Sequence, residues 1–439
     1  MTGPTNTGAI DLMNERANTP GWRYAVEETV DVEGPRPLDG VRVLAVEQMQ
    51  ALPFATQLLG RLGADVVKLE HPVGGDMGRG SAPSIPDADG EPMGATFLRN
   101  NLGKRSITLD LKNETGRDLF RSLVPRFDIV AQNLKAGAME RLGLGYDDLV
   151  SSHPSLLYLS VSGYGSTELG RELARPAYAS IAEAMSGLYA YKQREGEPPR
   201  ANPVGGLGDI SAALFATVGV LAALRHRDVH GVGQHVDIAM VDSVVSMTDT
   251  VTNFWSMGIP REPDPAPFVI ESFQAHDGWF VLQIGRRHEF ERLANAINRP
   301  DWLDDSRFEP RTGWHEHLET DLRPAIEGWA ATLSRAEAVS KLAAAGVAAG
   351  PCATPAEVAV DPVLADRSML VAIEGPPNPD WPGGGLVLTP GNPVKLSAVD
   401  ERPDRRPPRL GEDTERILRD ELGLNETELA DLRANSVIR

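Results

Sequence analysis

Short apolar segments alternate with stretches of helical spacing over the first half of the chain. Helical spacing over residues 54–62 and 116–123 predicts helices. Buried strands are predicted at 41–46, 65–69, 106–111, 128–131 and 156–162. Strands separated by helices form βαβ units, so we expect an α/β fold whose large domain is Rossmann-like, with a mainly parallel sheet.

The pattern divides the chain into five segments. A long apolar helix beginning near Asp209 leads to a last strand over 234–240, and a hairpin-like pattern over 268–285 opens a region rich in helices. The large domain is predicted to return at the C-terminus, ending in two polar helices within 413–432. The segments are an N-terminal extension (1–37), the large domain (38–240), a proline-containing linker (241–265), a smaller α+β domain (266–350), and a linker with the C-terminal return (351–439).

Composition narrows the possible partners. The 439-residue chain has a formal net charge of −19, which repels phosphate backbones, so nucleic acid is not an expected partner. A single cysteine, Cys352, excludes a disulfide framework and a cysteine-rich zinc site, and it suits a reducing compartment. The apolar run 210–224 is short for a bilayer, and residues 1–18 lack a signal-peptide pattern. We therefore expect a cytoplasmic protein with no membrane or metal partner.

Common nucleotide and hydrolase motifs are missing from the sequence. The first strand–helix junction, residues 47–53, contains no glycine, and the glycines of 75–80 have the wrong spacing for a dinucleotide fingerprint. Gly103 and Lys104 lack the rest of a Walker A motif, and no Gly-x-Ser-x-Gly elbow occurs. Nicotinamide, ATP and serine-hydrolase chemistry are therefore disfavoured.

One carboxylate stands in an unusual setting. Gly206 and Gly208 bracket a leucine just before Asp209, and the apolar helix follows at once. In the simpler interpretation, Asp209 is the N-cap of that helix and accepts backbone N–H bonds. In the functional interpretation, its carboxylate lies beside a glycine-made opening that a ligand can approach closely. The two interpretations are compatible.

Basic residues gather near predicted strand ends in this acidic protein. The carboxyl ends of parallel strands are the usual place for ligands. The group is either a solvated basic face or a site for a multiply phosphorylated small molecule. Its members are Lys104, Arg105, Lys112, Lys135 and Arg141.

Several motifs in a fixed order resemble the family III CoA-transferases, the carnitine–CoA transferase and formyl-CoA transferase group. The opening VRVLAVEQMQALPFATQLLGRLGADVVKLE is similar to the start of that family, and Gly205–Asp209 matches its nucleophile motif. The resemblance covers residues 37–439. Further matches are NLGKRSITLD, NLKAGAMERLG and GVGQHVDIAMVD.

The resemblance implies an enzyme that moves CoA from an acyl-CoA to a carboxylic acid, with CoA as co-substrate and no metal. Asp209 would be the nucleophile, and Gln50 would lie near the thioester. The family also implies an interlocked homodimer. Positions that would contact CoA are Met49, Ala51, His71, Leu109, Asp110, Leu111, Lys112, Asn133, Leu134, Lys135 and Arg141.

Two departures keep alternatives open. The related α-methylacyl-CoA racemases have a histidine where this chain has Tyr178, and racemisation needs a base on each face of the α-carbon, so Tyr178 counts against that activity. The family often has an acid where this chain has Ala179, so the role of a second carboxylate is expected to be absent. A CoA-binding, non-catalytic subunit of a heteromeric transferase is therefore the other alternative.

A carboxylate suits the implied chemistry. With an ordinary pKa near 3.9, about 99.9% of an aspartate is ionised at pH 7, so Asp209 needs no general base. It would form a mixed anhydride with the acyl group and then an aspartyl-CoA thioester. Both are lost if water enters, so a lid is required, and residues 266–350 are the expected one.

Overall fold

A computed structural model describes residues 23–27, 34–173, 176–191, 193, 196–201, 204–249, 251, 255–258, 266–378 and 385–439. Most of the predicted extension 1–37 lies outside these described residues, as do residues 250, 252–254 and 259–265 of the predicted linker 241–265. The described chain forms two compact units, one from Met1–Asp249 with Ala359–Arg439 and the other from Thr250–Val358.

The strands and helices are numbered in chain order. The strands are β1 Arg23–Tyr24, β2 Arg42–Val46, β3 Asp65–Glu70, β4 Ser84–Pro86, β5 Pro92–Gly94, β6 Arg105–Thr108, β7 Ile129–Gln132, β8 Leu157–Ser162, β9 Gln234–Ala239, β10 Val269–Ala275, β11 Gly278–Ile284, β12 Ala348–Pro351, β13 Leu370–Glu374 and β14 Leu386–Pro390. The helices are α1 Ala51–Arg61, α2 Ala95–Asn100, α3 Glu114–Leu123, α4 Ala138–Arg141, α5 Tyr146–Val150, α6 Glu168–Leu173, α7 Ala179–Met185, α8 Leu188–Tyr191, α9 Leu207–His230, α10 Met240–Ser246, α11 Arg287–Ala296, α12 Thr312–Glu316, α13 Arg323–Ala330, α14 Arg335–Ala344, α15 Pro355–Ala359, α16 Pro362–Asp366, α17 Thr414–Leu422 and α18 Glu426–Ala434.

Six parallel strands form the central sheet of the first unit, in the order β6-β3-β2-β7-β8-β9. Strand β2 lies near the middle, where Val43 pairs with Val66 on one side and with Ile129 on the other. The α/β class with a large parallel sheet, predicted from the alternation of strands and helices, is confirmed.

Alternate residues of each strand supply two separate cores because successive side chains point to opposite faces of the sheet. Val43 and Ala45 belong to the core that includes residues of α1 and α9. Leu44 and Val46 belong to the core on the other face, which includes residues of α3, α17 and α18. The C-terminal helices thus complete the covering of the sheet that the N-terminal segments begin.

The edge strand β6 is held by the C-terminal segment. Asp413 accepts a hydrogen bond from the Ser106 N–H at 2.9 Å, and Thr414 Oγ1 accepts one from the Thr108 N–H at 3.0 Å. These side chains satisfy backbone groups that an edge strand otherwise leaves open. Leu418, fully buried in α17, packs in the same core as β6.

The second unit has its own sheet and core. Strands β10, β11 and β12 are antiparallel, and β10 with β11 forms the hairpin that the sequence predicts. An aromatic cluster fills the core, with Phe290 and Trp314 stacked at a centroid distance of 4.8 Å and Trp302 at 5.9 Å from Phe290. This unit therefore combines an antiparallel sheet with helices.

Helix α9 has 24 residues and packs against α1, β8 and β9 in the first unit. By length and composition it is the one described helix that could cross a bilayer, with a mean hydropathy of 1.9 over its most apolar window. Half of that window is buried inside the protein, where Ala213, Ala216 and Val220 join the core beside the sheet.

Candidate active site

A cavity of about 420 Å³ opens at the carboxyl edge of the central sheet. Its walls come from the segments that follow β2, β7 and β8, together with the first turn of α9. This is the edge at which open parallel sheets bind ligands. The lining residues are Gln48, Met49, Gln50, Ala51, Met77, Thr96, Asn133, Leu134, Lys135, Ala136, Val161, Ser162, Gly163, Tyr164, Gly170, Pro176, Ala177, Tyr178, Asp209 and Met240.

Seven of the thirteen predicted site residues line this cavity, although they come from three distant parts of the chain. The other six lie outside its lining: His71, Leu109, Asp110, Leu111, Lys112 and Arg141. The seven that line it are Met49, Gln50, Ala51, Asn133, Leu134, Lys135 and Asp209.

Asp209 lies in the first turn of α9 but does not cap the helix. The helix begins at Leu207, its N-cap is Gly206, and no side chain caps it. The interpretation of Asp209 as the N-cap is therefore wrong. The helix starts three residues earlier than that interpretation requires, because Gly206 adopts a left-handed φ of 75° that other residues rarely adopt.

Gly206 also provides the opening expected beside Asp209. A Cβ at this position would come within 2.7 Å of Gln50 Nε2 and 3.6 Å of Asp209 Oδ2. The Gln50 amide and the Asp209 carboxylate therefore face the same small space, and a side chain at position 206 would fill it.

The Asp209 carboxyl is less acidic than an ordinary aspartate. Burial disfavours its charged form, and the negative charge of Glu183 adds to the effect, so the pKa rises to about 6. About nine-tenths of Asp209 is then ionised at pH 7. The expectation of an ordinary pKa is wrong, because the sequence does not show how deeply the first turn of α9 is buried.

Glu183 is a second carboxylate that the sequence analysis missed. It is 2% exposed, and its Oε1 accepts a hydrogen bond from the Gly208 N–H at 3.1 Å. Its Oε2 accepts one from the Tyr189 hydroxyl at 2.7 Å. The available signal was one acidic residue in the otherwise apolar helix α7. Position 179 is alanine, as the sequence shows, but Glu183 places a buried carboxylate one turn further along α7.

The segment before α1 is held in a strained conformation. Met49 has a positive φ of 62°, which is uncommon for a residue with a side chain. Its N–H donates to Asp76 Oδ1 at 2.9 Å. The neighbouring Gln48 exchanges two hydrogen bonds with the Asn133 side chain, each 2.9 Å long. These contacts fix the backbone that carries Gln50 toward the cavity.

A network of buried ion pairs contacts the segment before α1. The Lys68 ammonium lies 2.7 Å from Asp76, and the Lys104 ammonium lies 2.6 Å from Glu47, with all four side chains almost fully buried. Burial lowers the pKa of Lys104 to about 8 although Glu47 opposes the shift. Lys104 is thus part of a structural ion-pair network.

The prediction that Lys104 and Arg105 stand at the ligand edge is wrong. Lys104 is held within the buried network, and Arg105 begins β6, where its Nε donates to Asp65 at 2.9 Å. Both β6 and β3 begin at the amino edge of the parallel sheet. Both residues directly precede the strand predicted at 106–111, so their place at its amino end already follows from the sequence.

Two polar atoms lining the cavity have no hydrogen-bond partner among the described residues. They are Gln50 Nε2 and the Tyr164 hydroxyl, and both atoms are buried. Buried polar atoms without partners are rare in native proteins and call for an explanation. Both can donate a hydrogen bond, so the cavity offers two donors to an oxygen atom of a ligand.

Comparison with known proteins decides the family. Residues 38–414 match CoA-transferase family III. The chain belongs to this family. It is 37% identical to the succinyl-CoA:mesaconate CoA-transferase of Haloarcula hispanica, over 88% of this chain and 96% of that protein. It is 33% identical to the succinyl-CoA–L-malate CoA-transferase beta subunit of Chloroflexus aurantiacus, over 92% of this chain and 98% of that protein.

A solved structure agrees with this assignment. The crystal structure of a CAIB/BAIF family protein from Brucella suis superposes with a TM-score of 0.76 at 30% identity, over 88% of this chain and all of that one. The protein is therefore a family III CoA-transferase, an enzyme that uses CoA as co-substrate and acts on an acyl-CoA and a carboxylic acid.

In this CoA-transferase, the six predicted residues outside the cavity occupy varied surroundings. His71 Nε2 lies 3.7 Å from Asp110 Oδ1, and the side chains of Leu109 and Leu111 are buried in the core. Lys112 and Arg141 are exposed. No three His, Cys, Asp or Glu side chains lie close enough to hold a metal ion in the part of the chain that the structure describes.

Proposed function

We propose that Asp209 is the nucleophile of this CoA-transferase and carries first the acyl group and then CoA. The observation that supports this most strongly is its position, because Asp209 is the one carboxylate among the residues described as lining the cavity. At pH 7 it is mostly ionised, so it attacks without a general base, and its raised pKa makes it a stronger nucleophile than an ordinary aspartate.

The reaction proceeds by successive nucleophilic substitutions at carbonyl carbon atoms. An Asp209 oxygen attacks the thioester carbonyl, the carbon–sulfur bond breaks, and CoA leaves as a thiolate from a mixed anhydride. The thiolate then attacks the Asp209 carbonyl of that anhydride, so the first acid leaves as a carboxylate and an aspartyl-CoA thioester forms. The second acid attacks the aspartyl-CoA thioester, and CoA leaves again as a thiolate from a new mixed anhydride. The thiolate then attacks the carbonyl of the second acid, and Asp209 leaves as a carboxylate. No net proton is gained or lost.

Each attack builds negative charge on a carbonyl oxygen, and we propose that Gln50 stabilises that charge. Its Nε2 is a buried donor with no partner among the described residues, and it faces the same space beside Gly206 as the Asp209 carboxylate. A donor fixed in advance at such a point lowers the barrier more than one that must reorient. The hydrogen bond from the Met49 N–H to Asp76 holds the backbone beside Gln50 in place.

The thioester end of CoA is proposed to run past Met49, Ala51 and the segment Asn133–Lys135, all of which line the cavity. The nucleotide end would then reach the outer group, whose exposed cations can meet phosphates. In that outer group His71, Lys112 and Arg141 are exposed and Asp110 is half-buried, whereas Leu109 and Leu111 are buried in the core.

The proposed assembly is an interlocked cytoplasmic homodimer with the domain boundaries expected from the sequence. An apolar row on helix α9 is exposed in the single chain, and we propose that a second copy of the chain covers it in the homodimer. The row consists of Leu214, Phe215, Val218 and Leu221. The experiment is light scattering of the purified chain, and a monomer at micromolar concentration would contradict the proposal.

A trapping experiment tests the nucleophile. The enzyme is incubated with succinyl-CoA, the donor named in both relatives above, and no acceptor acid. CoA should remain on the protein as a thioester, and hydroxylamine should convert Asp209 to a hydroxamate in its tryptic peptide. Asp209→Asn should fold, bind CoA and remain unlabelled, because a neutral amide is a very poor nucleophile. Unlabelled wild-type protein, after a panel of acyl-CoAs, would contradict the proposal.

The relation to a beta subunit keeps a second candidate function in view, namely a CoA-binding chain that needs a catalytic partner. The purified chain alone decides between the two. Transfer by the homogeneous protein supports a complete enzyme, whereas CoA binding without labelling or transfer supports the subunit.

A further inference from the structure

The N-terminus of α9 is attached to helix α7 by two contacts on one glycine. Gly208 lies against the backbone of Ala179, since a Cβ at position 208 would come within 2.9 Å of the Ala179 Cα. One turn further along α7, Glu183 Oε1 accepts the Gly208 N–H at 3.1 Å. Helix α7 therefore holds the residue that immediately precedes Asp209.

Glu183 takes the place of a local helix cap. The N-cap Gly206 has no side chain, so the first amides of α9 lack the usual partner from the same segment. A carboxylate from another helix satisfies one of them and also favours the positive end of the helix dipole. The other oxygen of Glu183 is held by the Tyr189 hydroxyl at 2.7 Å, so the carboxylate cannot turn away freely.

Building on the proposed role of Asp209, we infer that Glu183 is a positioning residue that fixes the first turn of α9 and places a negative charge behind the nucleophile. Glu183 does not line the cavity and so acts through Asp209 rather than on the substrate. Its charge makes the neighbouring carboxylate hold its proton to higher pH, as like charges in a buried site do.

The other titratable groups around Asp209 do not share this role. Lys135, Tyr164 and Tyr178 line the same cavity. The charged residues at the far end of α9 begin at Arg225, about 24 Å along the helix axis from Asp209. The elements packed against α9 contribute Arg61 from α1, Tyr158 from β8, His235 and Asp237 from β9, and Asp242 from α10. Apart from burial, Glu183 is the group within the described part of the chain that raises the Asp209 pKa.

The negative charge of Glu183 has two opposite effects on Asp209, because Asp209 must act both as nucleophile and as leaving group. Greater basicity strengthens the attack of Asp209 on the thioester, and it slows the departure of Asp209 from the anhydride. The rate at neutral pH therefore changes little when the charge of Glu183 is removed, because the two effects oppose each other. The pH dependence changes much more, because it follows the ionisation of Asp209 directly.

The test uses Glu183→Gln in the full-length enzyme. Glutamine keeps an acceptor for the Gly208 N–H and removes the charge. The acid limb of kcat/KM, expected near pH 6 in the wild type, should move at least about half a pH unit lower, with kcat at pH 7.5 changed less than about tenfold. Glu426→Gln, which removes a charge from the exposed first turn of α18, is the matched control and should leave the limb in place.

A second measurement does not depend on turnover. Carbon-13 NMR of aspartate-labelled protein reports the Asp209 titration directly, with Asp209→Asn identifying the signal. In Glu183→Gln the midpoint should move to lower pH. If the midpoint and the acid limb both stay in place while the variant is folded, the inference is overturned. A wild-type enzyme that never forms the aspartyl-CoA thioester would instead overturn the role of Asp209, so the two failures are distinguishable.

Glu183→Ala separates the two parts of the role. It removes both the charge and the acceptor, so the first turn of α9 loses its attachment. We expect the same shift of the acid limb as in Glu183→Gln, together with a further loss in kcat of about tenfold or more from misplacement of Asp209. Equal kcat in the two variants would show that the hydrogen bond to Gly208 has no positioning effect and would overturn that part.

Discussion

The backbone N–H of Met49 lies 2.9 Å from Asp76 Oδ1, and this hydrogen bond connects the wall of the cavity to the buried ion pair of Asp76 and Lys68. The same oxygen accepts the Gly78 N–H at 2.7 Å. One carboxylate therefore balances a buried charge and fixes two backbone segments. The hydrogen bond from Met49 to Asp76 helps to hold Met49 at its strained φ, since such conformations persist only where the surrounding structure fixes them.

Asp76→Ala is expected to lower the free energy of unfolding by about 3–5 kcal/mol, since it leaves Lys68 buried without this partner. Asp76→Asn keeps an acceptor for the Met49 N–H and should cost less. Urea denaturation followed by circular dichroism measures both. Equal losses for Ala and Asn would show that the charge matters and the hydrogen bonds do not.

Asp209→Asn should make the protein more stable at neutral pH while abolishing transfer. The folded-state pKa is raised from 3.8 to about 6, so the native state binds more protons than the unfolded state between those values, and stability falls as pH rises through that window. Burying the ionised carboxylate then costs at most about 3 kcal/mol above pH 6.

The gain in stability from Asp209→Asn should accordingly be present at pH 7.5 and nearly vanish at pH 4, where the wild-type carboxyl is protonated in the folded state. Chemical denaturation at the two pH values checks this difference. A variant that is less stable than the wild type at pH 7.5 would show that the carboxylate makes a favourable contact in the folded enzyme.

Gly206→Ala should impair catalysis far more than its matched control. Both Gly206 and Gly231 adopt left-handed φ values, 75° and 74°, at opposite ends of α9. An added methyl at 231 meets no atom within 4 Å, whereas at 206 it meets the Gln50 amide. Each change should cost about 1 kcal/mol of stability from backbone strain.

Only Gly206→Ala is expected to reduce kcat, by about 100-fold, because the methyl displaces Gln50 and crowds Asp209. Steady-state kinetics on folded protein, normalised by CoA binding, makes the comparison. Similar kcat values in the two variants would mean that the space beside Gly206 is not used by the reacting groups.

The proposed CoA contacts predict changes in KM. Lys112→Ala and Arg141→Ala should raise the KM for acyl-CoA by about tenfold or less, with a smaller change in kcat, because exposed charge–phosphate contacts are weak. The effect should shrink as salt is added. Lys341→Ala, an exposed lysine on α14, is the control. An unchanged KM in both test variants would remove these residues from the CoA site.

The sequence predicted the local elements well because they follow from hydrophobic periodicity. The strand predicted at 65–69 is observed as Asp65–Glu70, and the helix predicted at 116–123 lies within Glu114–Leu123. What it missed depends on contacts between distant segments. The pairing of Lys104 with Glu47 spans 57 positions, and the effect of Glu183 on Asp209 requires α7 to cross the start of α9.

The candidate site also includes some features that the sequence predicted and others that it missed. The motifs placed Gln50, Asn133 and Asp209 together because the family resemblance carries three-dimensional information that periodicity lacks. The resemblance did not give the depth of burial of the carboxyl, and so its pKa was misjudged. Nor did it reveal Glu183, whose one signal in the sequence is an acidic residue among mostly apolar neighbours in a short helix.

The aromatic core of the second unit has a spectroscopic consequence. Of the seven tryptophans in the chain, five lie within Thr250–Val358, namely Trp255, Trp279, Trp302, Trp314 and Trp329. The described part of the first unit, which holds the cavity, contains none. Intrinsic tryptophan fluorescence will therefore report mainly on unfolding of the second unit, whereas far-ultraviolet circular dichroism reports on both. Two non-coincident denaturation curves would give the stability of each unit from a single unlabelled protein.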